Sequence, residues 1–166
     1  MSLEQEIASL EERHELTHGR YVTLATAESA TGGGIARRLT AVPGSSAYVL
    51  GGIVAYSNKV KAALLCVATR TLSERGAVSE EVAREMAQGA RDAFNADVGV
   101  SDTGVAGPGG ATPDKAVGLF YISLSTRAGT LARRFVFDGE RESNRREAEE
   151  AALLLVRDYL LQCIDS

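Results

Sequence analysis

The chain has 166 residues, enough for one domain with a real core, and its 45% hydrophobic content excludes a disordered polymer. A net charge of −4 argues against nucleic acid as a partner, and two cysteines without metal-ligand spacing imply no disulfide framework. No apolar run reaches transmembrane length and the acidic start Ser2-Leu3-Glu4-Gln5-Glu6 lacks a signal-peptide h-region, so a soluble cytoplasmic chain with no membrane partner is expected.

Leu3, Ile7, Leu10 and His14 recur at helical spacing and predict a first helix ending near Gly19. Residues 21–27 form an apolar, β-rich run and the first predicted strand. A helix over 34–42, stopped by Pro43-Gly44, a strand over 51–56 and a helix over 58–65 follow. Residues 71–75 make a helical turn before Gly76. Ser79 caps a long helix over 80–94, with Val82, Met86, Ala90 and Ala93 on its apolar side. Residues 97–101 are the third strand, and 102–116 form a long glycine-rich loop of the length that usually serves function. Strands over 117–126 and 131–138 pair as a hairpin through Arg127-Ala128-Gly129-Thr130, and a helix over 142–163 closes the chain. No linker or repeat interrupts 1–166, so one domain is expected. Strands separated by helices imply parallel crossovers, and the late hairpin adds an antiparallel strand. The expected architecture is a three-layer α/β/α sandwich on a mixed, mostly parallel five-stranded sheet.

In such sheets ligands bind beyond the carboxyl ends of the strands. Ser29, Ser57 and Thr103 each follow a predicted strand end, so three segments converge on one crevice. Ser29 lies in Ala27-Glu28-Ser29-Ala30-Thr31-Gly32-Gly33-Gly34, where a strand stops and a helix begins. Peptide N–H groups at a helix start lack intrahelical partners. The turn can therefore hold a phosphate or the oxyanion of an acyl-transfer intermediate, or it can simply start the helix with Ser29 or Thr31 as N-cap. His14-Glu15-Leu16-Thr17-His18 matches H-E-x-x-H, a zinc-protease pattern. Its charged neighbours Glu11-Glu12-Arg13, the lack of a third histidine and the stop at Gly19 make it a coincidence on an exposed helix, and no metal is expected. Arg133-Arg134 and Arg145-Arg146 read as solvated faces.

Five motifs occur in order: Ala27-Glu28-Ser29-x-Thr31-Gly32-Gly33, Tyr56-Ser57-Asn58-x-x-Lys61, Gly76-Ala77-Val78-Ser79, the run from Thr103-Gly104 to Gly109-Gly110, and Val117-Gly118. With them the chain resembles the C-terminal domain of the competence/damage-inducible CinA proteins, in register from Tyr21 to the last helix and in what looks like the stand-alone form. The resemblance implies an α/β/α fold, a homodimer, no cofactor, and nicotinamide-nucleotide amidase activity. In that reaction nicotinamide mononucleotide and water give nicotinate mononucleotide and ammonia. Amide hydrolysis without metal or histidine needs another nucleophile and base. Ser29 can be the nucleophile, and Lys61, matching the family's lysine, can be the base if desolvation keeps it neutral. Tyr56 can relay or orient a proton. Backbone donors at Thr31, Gly32 and Gly33 can form an oxyanion hole. Thr103, Gly104, Gly107, Gly109 and Gly110 can cradle the nucleotide phosphate. Arg145, matching an arginine late in the family pattern, is a candidate clamp on that phosphate. A nucleotide-binding or regulatory module with little turnover is the alternative. Departures are Ala30 for the usual cysteine, Ala116 for proline, Cys66 for glycine, and Asp102 where an apolar residue or threonine is common. Strand alternation turns Asp102 away from the face bearing Ser101 and Thr103; facing the pocket, it would repel a phosphate.

Overall fold

The computed structural model describes residues 1–164. Helix α1 (Leu3–His18) is started by a capping box, in which Ser2 Oγ accepts from the Gln5 N–H and the Gln5 side chain accepts from the Ser2 N–H. It ends at Gly19, whose φ of 72° is the left-handed cap glycine adopts without penalty. Then come β1 (Leu24–Glu28), α2 (Gly34–Leu39), a 3-10 turn (Ser45–Ala47) and β2 (Val49–Val54). Helices α3 (Asn58–Leu65), α4 (Thr69–Arg75) and α5 (Glu80–Phe94) precede β3 (Val98–Gly104). The chain ends in the hairpin β4 (Leu119–Thr126) and β5 (Gly129–Val136), then α6 (Arg141–Ile164).

The strand order is β2-β1-β3-β4-β5. β1 runs parallel to both β2 and β3, while β4 is antiparallel to β3 and β5. The sheet is therefore mixed, with helices on both faces, as expected. One core holds Ile7 and Leu10 of α1, Ile35 of α2 and Leu153 and Val156 of α6 against Leu24, Val98, Val100 and Phe120. The other packs Leu65, Val82, Met86 and Ala90 against Ala25 and Ala27. Period-two alternation sorts each strand between these cores. At Gly99 a Cβ would lie 2.0 Å from the Ala87 carbonyl oxygen, so α5 can press onto β3 only there.

Several boundaries differ from the sequence expectation. β2 begins and ends two residues earlier, which releases Tyr56 into the β2–α3 connection. β3 continues to Gly104 because its antiparallel ladder with β4 runs as far as Gly104 opposite Phe120, so Asp102 and Thr103 are strand residues rather than loop. The hairpin closes through Arg127 and Ala128 alone. Within the H-E-x-x-H stretch of α1 only His14 is buried, with Glu11 one turn earlier, while Leu16, Thr17 and His18 are exposed as expected. Cys66 has φ 56° and caps α3 in the left-handed conformation that favours glycine.

Candidate active site

A cavity of about 260 Å³ opens beyond the carboxyl ends of β1 and β3 and the segment following β2. Ser29, Tyr56, Lys61, Thr103, Gly107 and Arg141 are among its walls. The three strand-end segments thus meet as the topology predicts, although Ser57 itself serves as the N-cap of α3, accepting from the Val60 N–H at 3.2 Å.

β1 alternation carries Ser29 to the α3 side of the sheet, where Lys61 sits one turn into α3. Lys61 Nζ stands 2.9 Å from Ser29 Oγ and donates to the Ala55 carbonyl at 2.8 Å. Lys61 is 1% exposed. Burial lowers its pKa from the ordinary lysine value, while the nearby Asp102 carboxyl pulls the other way. A desolvated amine aimed at a serine hydroxyl is the arrangement that lets lysine act as a base.

The N–H groups behind Ser29 are already engaged. Glu28, itself 1% exposed, turns its carboxylate onto the start of α2 and accepts from Gly33 (3.0 Å), Ile35 (2.9 Å) and Ala36 (2.8 Å). Asp102 accepts from the N–H of Ser29 at 3.0 Å and of Thr31 at 3.2 Å. Gly32 donates to the Ser29 carbonyl at 3.2 Å. Thr31, Gly32 and Gly33 do not line the cavity. Their expected part as oxyanion donors is therefore corrected: the helix start is filled by acidic side chains of the chain itself. Among the described residues, Ala30 is the position on this turn whose N–H has no protein acceptor, and it lines the cavity.

Asp102 lies on the opposite face of β3 from Ser101 and Thr103, as alternation requires. Ser101 Oγ donates to Ala83 at 2.6 Å and Thr103 Oγ1 to Ala77 at 2.7 Å, both toward α5. Asp102 does not enter the cavity, so the repulsion of a phosphate does not arise. The cavity-lining loop 104–110 carries the opposite provision: no described residue accepts from the N–H of Ala106, Gly107, Gly109 or Gly110. The Ala106 and Gly107 carbonyls are held from α6 instead. Asn144 Nδ2 donates to Ala106 O at 3.1 Å and Arg141 Nη1 to Gly107 O at 2.8 Å.

Arg145 is not in the cavity wall. Its Nη2 donates to the Thr31 carbonyl at 2.7 Å, bracing the Ser29 turn from α6. The expected phosphate clamp is corrected accordingly, because the guanidinium at the cavity is that of Arg141, one helical turn earlier. Arg141 Nη2 donates to the Tyr56 hydroxyl at 3.1 Å, and Tyr56 stands 64% exposed at the rim, bonded to neither Ser29 nor Lys61. Arg141 and Asn144 escaped the sequence reading. The only signal was Gly139-Glu140-Arg141-x-x-x-Arg145, in which both arginines fit one helix face.

The H-E-x-x-H histidines lie at the other end of the sheet. His14 Nδ1 contacts the Arg20 carbonyl at 2.7 Å, His18 Nδ1 contacts the His14 carbonyl at 3.3 Å, and the rings stack at 4.3 Å. No group of three His, Cys, Asp or Glu placed to hold a metal ion occurs among the described residues. No described helix is long and apolar enough to cross a membrane.

Comparison with known proteins gives one answer. The model of the CinA C-terminal domain matches residues 7–160. A CinA-like protein of Desulfotalea psychrophila is 50% identical over 145 residues, 87% of this chain and 35% of that protein. One from Citrifermentans bemidjiense is 51% identical over 140 residues, 84% of this chain and 34% of that protein. The chain thus spans about a third of the length of the curated relatives it matches. The competence/damage inducible protein CihA of Agrobacterium tumefaciens superposes with a TM-score of 0.85 at 35% identity, over 100% of both chains. The competence damage-inducible protein A (ComA) of Klebsiella pneumoniae gives 0.87 at 30% identity, over 97% of this chain and 98% of that one. The match runs through the Ser29 turn, Lys61 and the 104–110 loop alike, and the chain belongs to the CinA C-terminal domain family.

Proposed function

We propose that the protein is an amidohydrolase acting on a nicotinamide nucleotide, with Ser29 as nucleophile and Lys61 as base. The observation that carries this reading is the buried Lys61 Nζ at 2.9 Å from Ser29 Oγ in the wall of a cavity. Neutral Lys61 takes the hydroxyl proton as Ser29 Oγ attacks the carboxamide carbon. The Ala30 N–H, free of protein acceptors and next to the nucleophile, is the donor placed for the oxyanion. Lys61 returns the proton to the departing ammonia, leaving an acyl ester on Ser29. Water, deprotonated by Lys61, then adds to that ester, the acyl carbon–Ser29 Oγ bond breaks, and Lys61 returns the proton to Oγ as the carboxylate leaves. Loop 104–110 and Arg141 receive the phosphate, since unpaired peptide N–H groups and a guanidinium suit an anion. Tyr56, held by Arg141, walls the mouth.

Release of ammonia from nicotinamide mononucleotide tests the reading, with Ser29→Ala expected to abolish it in a folded protein. Binding of the nucleotide without turnover in the unaltered protein would assign a nucleotide-binding module instead. The sign of the pH dependence follows from Lys61: only the neutral amine is a base, so the rate rises with pH through a midpoint below the ordinary lysine range.

A further inference from the structure

The Thr31 hydroxyl lies between two buried carboxyl groups. Its oxygen is 2.6 Å from Glu28 Oε2 and 2.5 Å from Asp102 Oδ1. Glu28, Thr31 and Asp102 are each 1% exposed or less. A hydroxyl has one proton to donate. Two oxygen–oxygen contacts this short require two protons, so one of the carboxyl groups must supply the second; two carboxylates would leave an unscreened lone-pair contact in a dry interior. Glu28 is the natural anion of the pair, because three peptide N–H groups at the start of α2 point at it. Asp102 receives two N–H groups and no cation contact.

We propose that Asp102 is a pH-gated positioning residue: in its neutral form it donates to Thr31 Oγ1 while Thr31 donates to the Glu28 carboxylate. This chain of two protons clamps the turn that presents Ser29. The Asp102 oxygens still accept from the Ser29 and Thr31 N–H groups, so the acid fixes the nucleophile's backbone and the hydroxyl beneath it together. The charged groups around the cluster are Glu28 from β1, Lys61 from α3, and Arg145 and Glu149 from α6. Arg145 donates to the Thr31 carbonyl and pairs with Glu142 of α6, and Glu149 pairs with Arg37 of α2. Burial, with the Glu28 charge adding to it, pushes the Asp102 carboxyl up to about 6. Loss of its proton has two effects of one sign. It sets two carboxylates against one hydroxyl, and it draws a proton onto Lys61, whose amine the proposed reaction needs neutral.

The clamp itself rests only on the geometry; its effect on rate rests on the amidase reading, and the two are tested separately. In uniformly ¹³C-labelled wild-type protein, the Asp102 carboxyl carbon is assigned through its own side chain and followed with pH. A midpoint well above the ordinary aspartate range is the expected result. A midpoint at or below that range overturns the clamp whether or not the protein is an amidase. In the second arm, ammonia release is compared between wild type and Asp102→Asn, with Asp102→Thr as a second variant. The ratio of wild-type to variant kcat/KM should fall by about tenfold between about pH 5 and about pH 8, because only the wild type carries a proton to lose. A flat ratio in the presence of turnover shows that Asp102 ionisation is not felt at Ser29, which overturns the rate half. No turnover in any protein sinks the amidase reading and leaves the carboxyl titration to decide the clamp.

Discussion

The turn after β1 and the loop after β3 both leave a strand end, both are rich in glycine and both carry peptide N–H groups at the open edge of the sheet. In the first, Glu28 and Asp102 accept from those N–H groups, so the site where an external anion would ordinarily settle is occupied by the chain's own side chains. In the second, carbonyls are tied back to Arg141 and Asn144 while N–H groups of 106, 107, 109 and 110 keep no protein acceptor. Glycine-rich composition reports only that backbone can come close. Whether that backbone is available depends on acidic side chains nearby, some of them distant in sequence. In the proposed reaction the first turn would be a rigid mount for the nucleophile and the second the receptor for the substrate's anion.

The sharpest way to break that division is at the nucleophile. Lys61→Met should lower ammonia release by about 10²–10⁴, the loss typical of a general base, while leaving nucleotide affinity near wild type, as read by separate turnover and binding measurements. A parallel loss of affinity would mean the mount and the receptor are not distinct.

Next in size is the filling of the mount. Glu28→Ala empties the start of α2 and strands buried N–H groups, costing about 2–4 kcal/mol in urea unfolding. Glu28→Gln, which keeps one acceptor oxygen, should lose less. A smaller effect in the alanine variant would mean that water or an anion can replace the carboxylate.

The receptor is tested through the two arginines of α6. Arg141→Ala should raise KM for the nucleotide by about tenfold and leave the corresponding nucleoside nearly unchanged, as expected for one charge-assisted contact. Arg145→Ala, which frees the Thr31 carbonyl, should act on kcat for both substrates instead. Exchange of these two outcomes would restore the clamp to Arg145.

The smallest effect on turnover should come from Glu11. It too is fully buried, but it receives a single N–H, from Val22 at 2.9 Å, and its second oxygen has no partner among the described residues. Burial therefore raises its pKa from 4.5 to about 8, which the single Val22 N–H offsets only in part. Because the folded value is raised, the proton on Glu11 stabilises the fold below about 4.5, and that stability is lost as pH rises through about 8. Glu11→Gln should flatten this part of the stability profile in urea titrations, with activity unchanged.

Much of this was legible from the residues. Helices α3 and α5 fall on their expected bounds because Ser57 and Ser79 are caps with an apolar face behind them. The meeting of the segments that carry Ser29, Ser57 and Thr103 followed from parallel topology, whereas Tyr56 and Lys61 entered only through the family resemblance. Strand ends were less legible, since a strand stops where its partner stops: β3 reached Gly104 because Phe120 was there to pair with it. Donor availability at the Ser29 turn was not legible at all. It depends on Glu28 folding back onto α2 and on Asp102 arriving from 71 residues away at Thr31. Arg141 and Arg145 were indistinguishable in sequence because four residues apart on a helix means the same face. Which of them reaches the cavity is decided by where α6 begins.

β3 works as a ruler laid across the sheet. Three consecutive residues alternate between its faces: Ser101 and Thr103 present hydroxyls toward α5, and Asp102 between them presents a carboxyl toward α2 and α6. A slip of one residue in this strand would invert all three. It would deliver a carboxyl into the cavity beside Ser29 and Lys61 and withdraw the one that accepts from the Ser29 and Thr31 N–H groups, with no change of composition. The antiparallel ladder from Gly99 to Gly104 against β4 fixes that register, so the sheet's pairing sets the chemical identity of the cavity as well as the fold. Single-residue insertions or deletions in this stretch should therefore be far more harmful than substitutions that keep its count.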